Sequence, residues 1–276
     1  MTKTGLVLLL GALCSQPLWA AERNDIKSCY DKLGISEKPE SSGRELVMVI
    51  DETTQLPVSL KKEALSHLIR FVKPGDAVKL YRFSAYLPDS HMALVFAGKL
   101  ESQLSQEQRD STGQNSLRQL DKCITAQQKY FQTVIAKGLA NSFGSEDKKI
   151  AKSEIFFSLK QIGQDWKNSQ AQDKVLFLVS DMLENSDFSS FYQNNQIKTI
   201  NPEQELAKVE KNQLQAEFTG VRVYVHAAGL VPNDVKHGYR SGKTMQSLQN
   251  FWQAYFEKSG ASLEGFGSPS LTTDLR

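Results

Sequence analysis

The stretch Glu45–Pro57 reads ELVMVIDETTQLP. Five consecutive apolar residues, Leu46 to Ile50, end in Asp51, and two threonines follow directly, Thr53 and Thr54. An unbroken apolar run of this length fits a strand buried on both faces, as in a parallel sheet covered by helices. An acid followed by hydroxyls at the end of such a strand is either a turn or a place to hold a cation.

A second stretch repeats the pattern. DKVLFLVSD runs from Asp173 to Asp181 and again ends an apolar strand in an aspartate. Between and around the two lie amphipathic helical segments: VSLKKEALSHLIRFV (58–72), SLRQLDKCITAQQKYFQTVIAKGLA (116–140) and SEIFFSLKQIGQDW (153–166), the last with Ile155, Leu159, Ile162 and Trp166 at inward spacing. AVKLYRF and MALVFAG read as strands separated only by SAYLPDSH, too short for a crossover, so this pair is expected to be antiparallel. Asn201 and Pro202 open a further helix as N-cap and first helical residue. VRVYVHAAGL (221–230) follows as a strand, KTMQSLQNFWQAYFEKSG (243–260) as a helix, and ASLEGF (261–266) as a short last strand. Strands alternating with helices predict an α/β fold: a doubly wound, mostly parallel sheet with one antiparallel strand and helices on both faces.

Two strand-terminal acids matter in such a sheet because ligands bind beyond the carboxyl ends of the strands, where strand order reverses. If the first and fourth strands are neighbours there, Asp51 and Asp181 meet in one crevice. Two carboxylates so placed repel unless a cation or a shared proton lies between them. Hydroxyls nearby add the oxygen ligands that hard cations take. Alternatively, each aspartate simply caps the helix that follows it.

These residues together resemble a von Willebrand factor type A domain, from about residue 45 to 266. The resemblance implies a metal-ion-dependent adhesion site built from three loops. On the first, DETTQ supplies Asp51 and Thr53; on the second stands Ser153; on the third, Asp181. The first loop departs from the family at its end, where Gln55 replaces a hydroxyl; Thr54 is one residue off and is expected to point elsewhere. Mg²⁺ or Ca²⁺ is the implied cofactor, with Mg²⁺ less tolerant of the change. The implied function is a binding or adhesion-type module that contacts a protein partner. Phe188, Phe191 and Tyr192, in the polar stretch ENSDFSSFYQNNQ after Asp181, are candidate partner anchors; the competing reading folds them back as satellite core.

Enzyme chemistry finds little purchase. A haloacid-dehalogenase-like phosphatase needs an acid where Thr53 stands, there is no G-x-S-x-G, and His67, His91, His226 and His237 show no metal spacing. His226, after an apolar strand, is expected in the core or at its rim, and His67 at the surface or boundary. A metal-free structural component of an envelope assembly stays open beside the binding module, and an Asp-based hydrolase behind both.

Residues 1–20, with Lys3, the apolar GLVLLLGAL and Ala20 at a cleavage point, read as a signal peptide. Leu13 before Cys14 disfavours lipid attachment. Export to a periplasm or beyond is expected, with no integral membrane segment after cleavage. The organisation expected is a leader (1–20), an extension (21–44) and one domain (45–276) whose middle, about 101–150, is enlarged and helical. A net charge of +2 gives no electrostatic case for nucleic acid. Cys29 and Cys123 remain after the leader and are expected to form one structural disulfide in an oxidising compartment; two unpaired thiols is the other possibility.

Overall fold

The computed structural model describes residues 23–84, 92–142, 152–193, 196–231 and 241–276. The expected leader, His91 and His237 lie outside them. Strand β1 (Arg44–Asp51) is buried at every position but its first. It lies between two parallel neighbours, β2 (Ala77–Phe83) and β4 (Asp173–Val179). Strand β3 (Met92–Lys99) pairs antiparallel with β2, as its short connection requires. On the other side β7 (Val221–His226) and β8 (Ser262–Phe266) continue in parallel, giving the order β3-β2-β1-β4-β7-β8. The chain leaves β1 towards one edge and returns through β4 towards the other, so order reverses between β1 and β4. This is a mixed, mostly parallel sheet of the Rossmann or von Willebrand A-like class.

Alternation along β1 divides the core. Val47 and Val49 face α5 (Ile155–Trp166) and α7 (Gly242–Lys258), packing with Phe156, Leu159, Phe251 and Trp252. Leu46, Met48 and Ile50 face α2 (Val58–Phe71) and α4 (Gln114–Ser142), packing with Leu60, Leu68, Phe131 and Ile135. Helices therefore cover both faces, and the fully apolar β1 needs both. Gly163 of α5 sits where an added Cβ would come 3.0 Å from the Glu217 backbone, a close approach that glycine makes without displacing it.

The shortest helix, α1 (Cys29–Leu33), belongs to a satellite; α3 (Gln106–Ser111), without a buried residue, is joined to α4 by the Arg109–Asp121 ion pair. Cys29, Tyr30, Leu104, Leu120 and Ile124 form a small core separate from the two main ones. A Cys29–Cys123 disulfide, with Cα atoms 5.8 Å apart, joins α1 to α4 within it. The Glu101 carboxylate accepts from Ser28 Oγ, the Cys29 N–H and Gln127 Nε2. The preceding segment runs along the edge of β3, Asp25 exchanging hydrogen bonds with the Ala97 backbone in both directions, which covers an otherwise open strand edge. A two-residue ladder, β5 (Tyr192–Gln193) with β6 (Gln196–Ile197), and α6 (Pro202–Lys211), capped by the Asn201 side chain on the Gln204 N–H, complete the order. Among the described residues no helix is long and apolar enough to cross a membrane.

His226 is buried, its Nε2 facing the Leu60 carbonyl and its Nδ1 accepting from the Leu271 N–H. Burial lowers its pKa, so it is a neutral core residue as expected. His67 is not at the surface: it is 6% exposed, with Nε2 2.9 Å from the Leu271 carbonyl. The C-terminal segment, which the helical periodicity of 58–72 could not reveal, covers it.

Candidate functional site

Register sets the site. In the β1–β4 pair Ile50 stands opposite Val179, so one step further Asp51 and Ser180 come abreast, and Asp181 follows. The Ser180 Oγ donates to Asp51 Oδ2 at 2.8 Å. The turn after β1 folds back on the same carboxylate: the Thr53 N–H and Oγ1 reach Asp51 Oδ1 at 2.9 and 2.5 Å, an aspartate side chain organising its own turn. Ser153 Oγ approaches Asp51 Oδ2 at 3.3 Å. Thr54 Oγ1 accepts from the Asp181 N–H at 3.1 Å, tying the two strand ends together. Asp181 Oδ1 in turn accepts from the Leu183 N–H at 2.8 Å. Its carbonyl takes the Gly229 N–H at 2.7 Å, from a glycine held at φ +65°.

The notch is buried and carries two carboxyl groups. Asp51 is 0% exposed and Asp181 6%, and Thr54, Ser153 and Ser180 are buried beside them. Burial raises the pKa of Asp51, partly offset by its hydrogen bonds from Thr53, Ser180 and Ser153. Asp181 is pushed well above the usual carboxylate range, first by burial and then by the charge of Asp51. The pKa of the Tyr192 phenol, half-buried against the main core, is raised by burial first and then by the charges of Asp181 and Asp51. Among the described residues no Lys, Arg or His pairs with Asp51 or Asp181, and no three His, Cys, Asp or Glu residues cluster as a metal site. Two residues at this end of the sheet, Met182 (φ 59°) and Ala227 (φ 81°), hold left-handed backbones without being glycine. Such strain persists where surrounding structure enforces it.

Of the five ligand candidates, the structure brings together Asp51, Thr53 and Ser153 by direct contact and Asp181 through Thr54. Gln55, half-buried, is not among the groups donating to Asp51 or Asp181. Thr54 does not point elsewhere; its buried hydroxyl faces the notch, because the turn tightens around Asp51, the Thr54 N–H reaching the Asp51 carbonyl at 3.3 Å. Ser180 was missed, although strand register alone would have placed it level with Asp51. Glu184 was missed too: it is 0% exposed, and burial pushes its carboxyl up from 4.5 to about 8.

The aromatic candidates need correcting. Phe191 is fully buried, with ring centroids 5.2 Å from Phe251 and 6.2 Å from Phe156. Phe188 packs on Phe156 at 5.8 Å. Phe191 is core and the half-buried Phe188 packs against that core, because the loop after β4 folds down onto α5 and α7 instead of standing out in solvent. Exposed apolar side chains are found instead at Val58 (66%) and Phe157 (41%), in the first turns of α2 and α5. Both helices begin at the sheet edge that carries the notch.

No protein-family profile and no curated protein matches the chain. Solved structures similar to it include the pilus adhesin SpaC from Lactobacillus rhamnosus GG, at 13% identity and TM-score 0.40 over 80% of this chain. The match spans only 27% of the adhesin's length. BatB from Bacteroides thetaiotaomicron aligns at 11% identity and TM-score 0.36, covering 79% of this chain and 88% of that one. The VWA domain of SpRpn10 aligns at 8% identity and TM-score 0.35, covering 84% and 90%. Likeness this loose carries no weight for family or function; the fold class rests on the strand order and register.

Proposed function

We propose that the notch between β1 and β4 is a divalent-cation site and that the protein is an exported module for binding another protein. One observation carries this: Asp51 and Asp181 are buried at the ends of neighbouring strands, tied together through Thr54 and Ser180, without a positive partner among the described residues. Unpaired buried charge is costly, and either a proton or a cation must relieve it. The donor set is all oxygen, as Mg²⁺, Ca²⁺ and Mn²⁺ prefer. Asp51 and Asp181, with the Thr53 and Ser153 hydroxyls, would hold the ion; Gln55 leaves the set one hydroxyl short of the adhesion-site pattern. A bound cation would offer a coordination position to an acidic side chain of the partner. Val58 and Phe157, exposed at the same edge, supply apolar contact beside it. The disulfide between α1 and α4 suits an oxidising compartment, consistent with export.

A second reading, a metal-free structural component, is favoured by the Asp51 carboxylate itself. Its two oxygens already accept from Thr53 N–H, Thr53 Oγ1, Ser153 Oγ and Ser180 Oγ. In that case the carboxyl pair shares a proton and the hydroxyls fix a turn. Calorimetric titration with Mg²⁺, Ca²⁺ and Mn²⁺ separates the two. Saturable binding lost in Asp51→Ala supports the cation site; absence of heat for all three ions leaves the structural role.

A further inference from the structure

Helix α5 begins without a cap of its own. Glu154, at its N-cap, makes no side-chain cap hydrogen bond. The open N–H groups of the first turn are instead met from a loop 28 and 29 residues away, where Glu184 Oε2 accepts from Ile155 N–H at 2.8 Å and Phe156 N–H at 3.2 Å. Next to it, Asn185 and Ser153 exchange both backbone hydrogen bonds, at 3.0 and 2.9 Å. The segment from Ser180 to Asn185 therefore supplies Ser180 and Asp181 to the notch at one end. At the other it grips Ser153, whose hydroxyl completes the ring around Asp51.

We infer that Glu184 is a positioning residue for the notch, holding Ser153 and Asp181 in mutual register by fastening the β4 loop to the start of α5; this rests on the cation reading. Two features set it apart from an ordinary cap. It is 0% exposed, whereas helix caps are usually met by a local Ser, Thr, Asp or Asn at the surface. Among the described residues its second oxygen, Oε1, has no hydrogen-bond partner; the Ser186 hydroxyl donates instead to the Ser189 carbonyl at 3.3 Å. A buried oxygen left unpaired costs free energy, and the chain holds it there beside a left-handed Met182. The fastening thus opposes two local costs, and its geometric consequence falls on the residues facing Asp51. Groups that orient ligands in this way typically change metal affinity by about 10–100-fold when removed.

Mn²⁺ affinity of the full chain, compared among wild type, Asp51→Ala, Glu184→Gln and Glu184→Met, tests the role. Gln keeps an oxygen for the two N–H groups and should bind within about twofold of wild type, while Met, similar in shape but without an acceptor, should lose about tenfold or more. Hydrogen exchange without cation gives a second readout: the Ser153, Ile155 and Asn185 amides should exchange about tenfold faster in Glu184→Met, with the β1 and β4 amides unchanged. Wild-type affinity in Glu184→Met overturns the positioning role and leaves the cation site standing. A wild type that binds no Mn²⁺, or an Asp51→Ala variant that binds as well, removes the cation site; unchanged protection at Ser153 and Asn185 then overturns the fastening too. If Glu184→Met does not fold, Glu184→Asp, too short to span both loops, replaces it with the same expectations.

Discussion

The two ends of the central strands treat buried acids in opposite ways. At the amino ends, Asp76 is held by Arg44 through Nε at 3.0 Å and a second guanidinium nitrogen at 2.6 Å, with Ser42 Oγ and the Lys73 N–H adding to it. Glu45, also buried, takes Lys79 at 2.9 Å and Trp166 Nε1 at 2.6 Å, as well as Ser169 Oγ. At the carboxyl ends, Asp51, Asp181 and Glu184 are equally buried, yet hydroxyls and backbone amides are their only partners among the described residues. The strained residues Met182 and Ala227 are at this end as well. One edge is neutralised from within the chain. The other is left acidic, which is how a site differs from a staple.

Breaking the amino-end pairing should have the largest effect at any single near-neutral pH. Arg44→Met leaves Asp76 buried and uncompensated, and urea denaturation should report a loss of about 4 kcal/mol. Next comes the pH dependence at the opposite edge. Glu184 is raised from 4.5 in the ordinary range to about 8 in the fold, so the folded chain holds the proton longer than the unfolded one. Its contribution is fully present below about pH 4.5, falls as pH rises, and is gone above about pH 8. Stability of wild type relative to Glu184→Gln should therefore fall by up to about 5 kcal/mol across that window and be flat beyond it. A flat difference throughout would mean that the carboxyl is not held protonated.

Asp181→Asn should carry the opposite sign from Arg44→Met. Removing one of the two acids in a cation-free buffer should raise stability in urea denaturation, and the gain should vanish when Mn²⁺ is added. A loss in cation-free buffer would show the two edges to be alike. Smallest is Lys79→Met, about 1 kcal/mol destabilising by thermal melting, since Glu45 keeps Trp166 and Ser169.

Much of this was legible in the sequence, for reasons that differ by residue. The continuous apolar runs of β1 and β4 marked central strands, and the short link after β2 marked the antiparallel pair, because burial and chain length act locally. Asp51 and Asp181 could be paired because strand ends and strand order are coarse features. Ser180 needed the register, Thr54 the tightness of a turn, and Glu184 the contact between a loop and a helix start far off in the chain. Phe191 misled because polar neighbours surround it in sequence, whereas Phe156, Phe251 and Trp252 surround it in space. The acids of the amino edge drew no notice, because pairs such as Arg44–Asp76 arise only once the strands align.

The most direct test of the acidic edge is an anomalous-difference map from crystals grown with Mn²⁺ at near-neutral pH. The account predicts a peak about 2.0–2.6 Å from carboxylate oxygens of both Asp51 and Asp181. A notch without a peak at saturating Mn²⁺, with the two carboxyl groups hydrogen-bonded to each other, would contradict it.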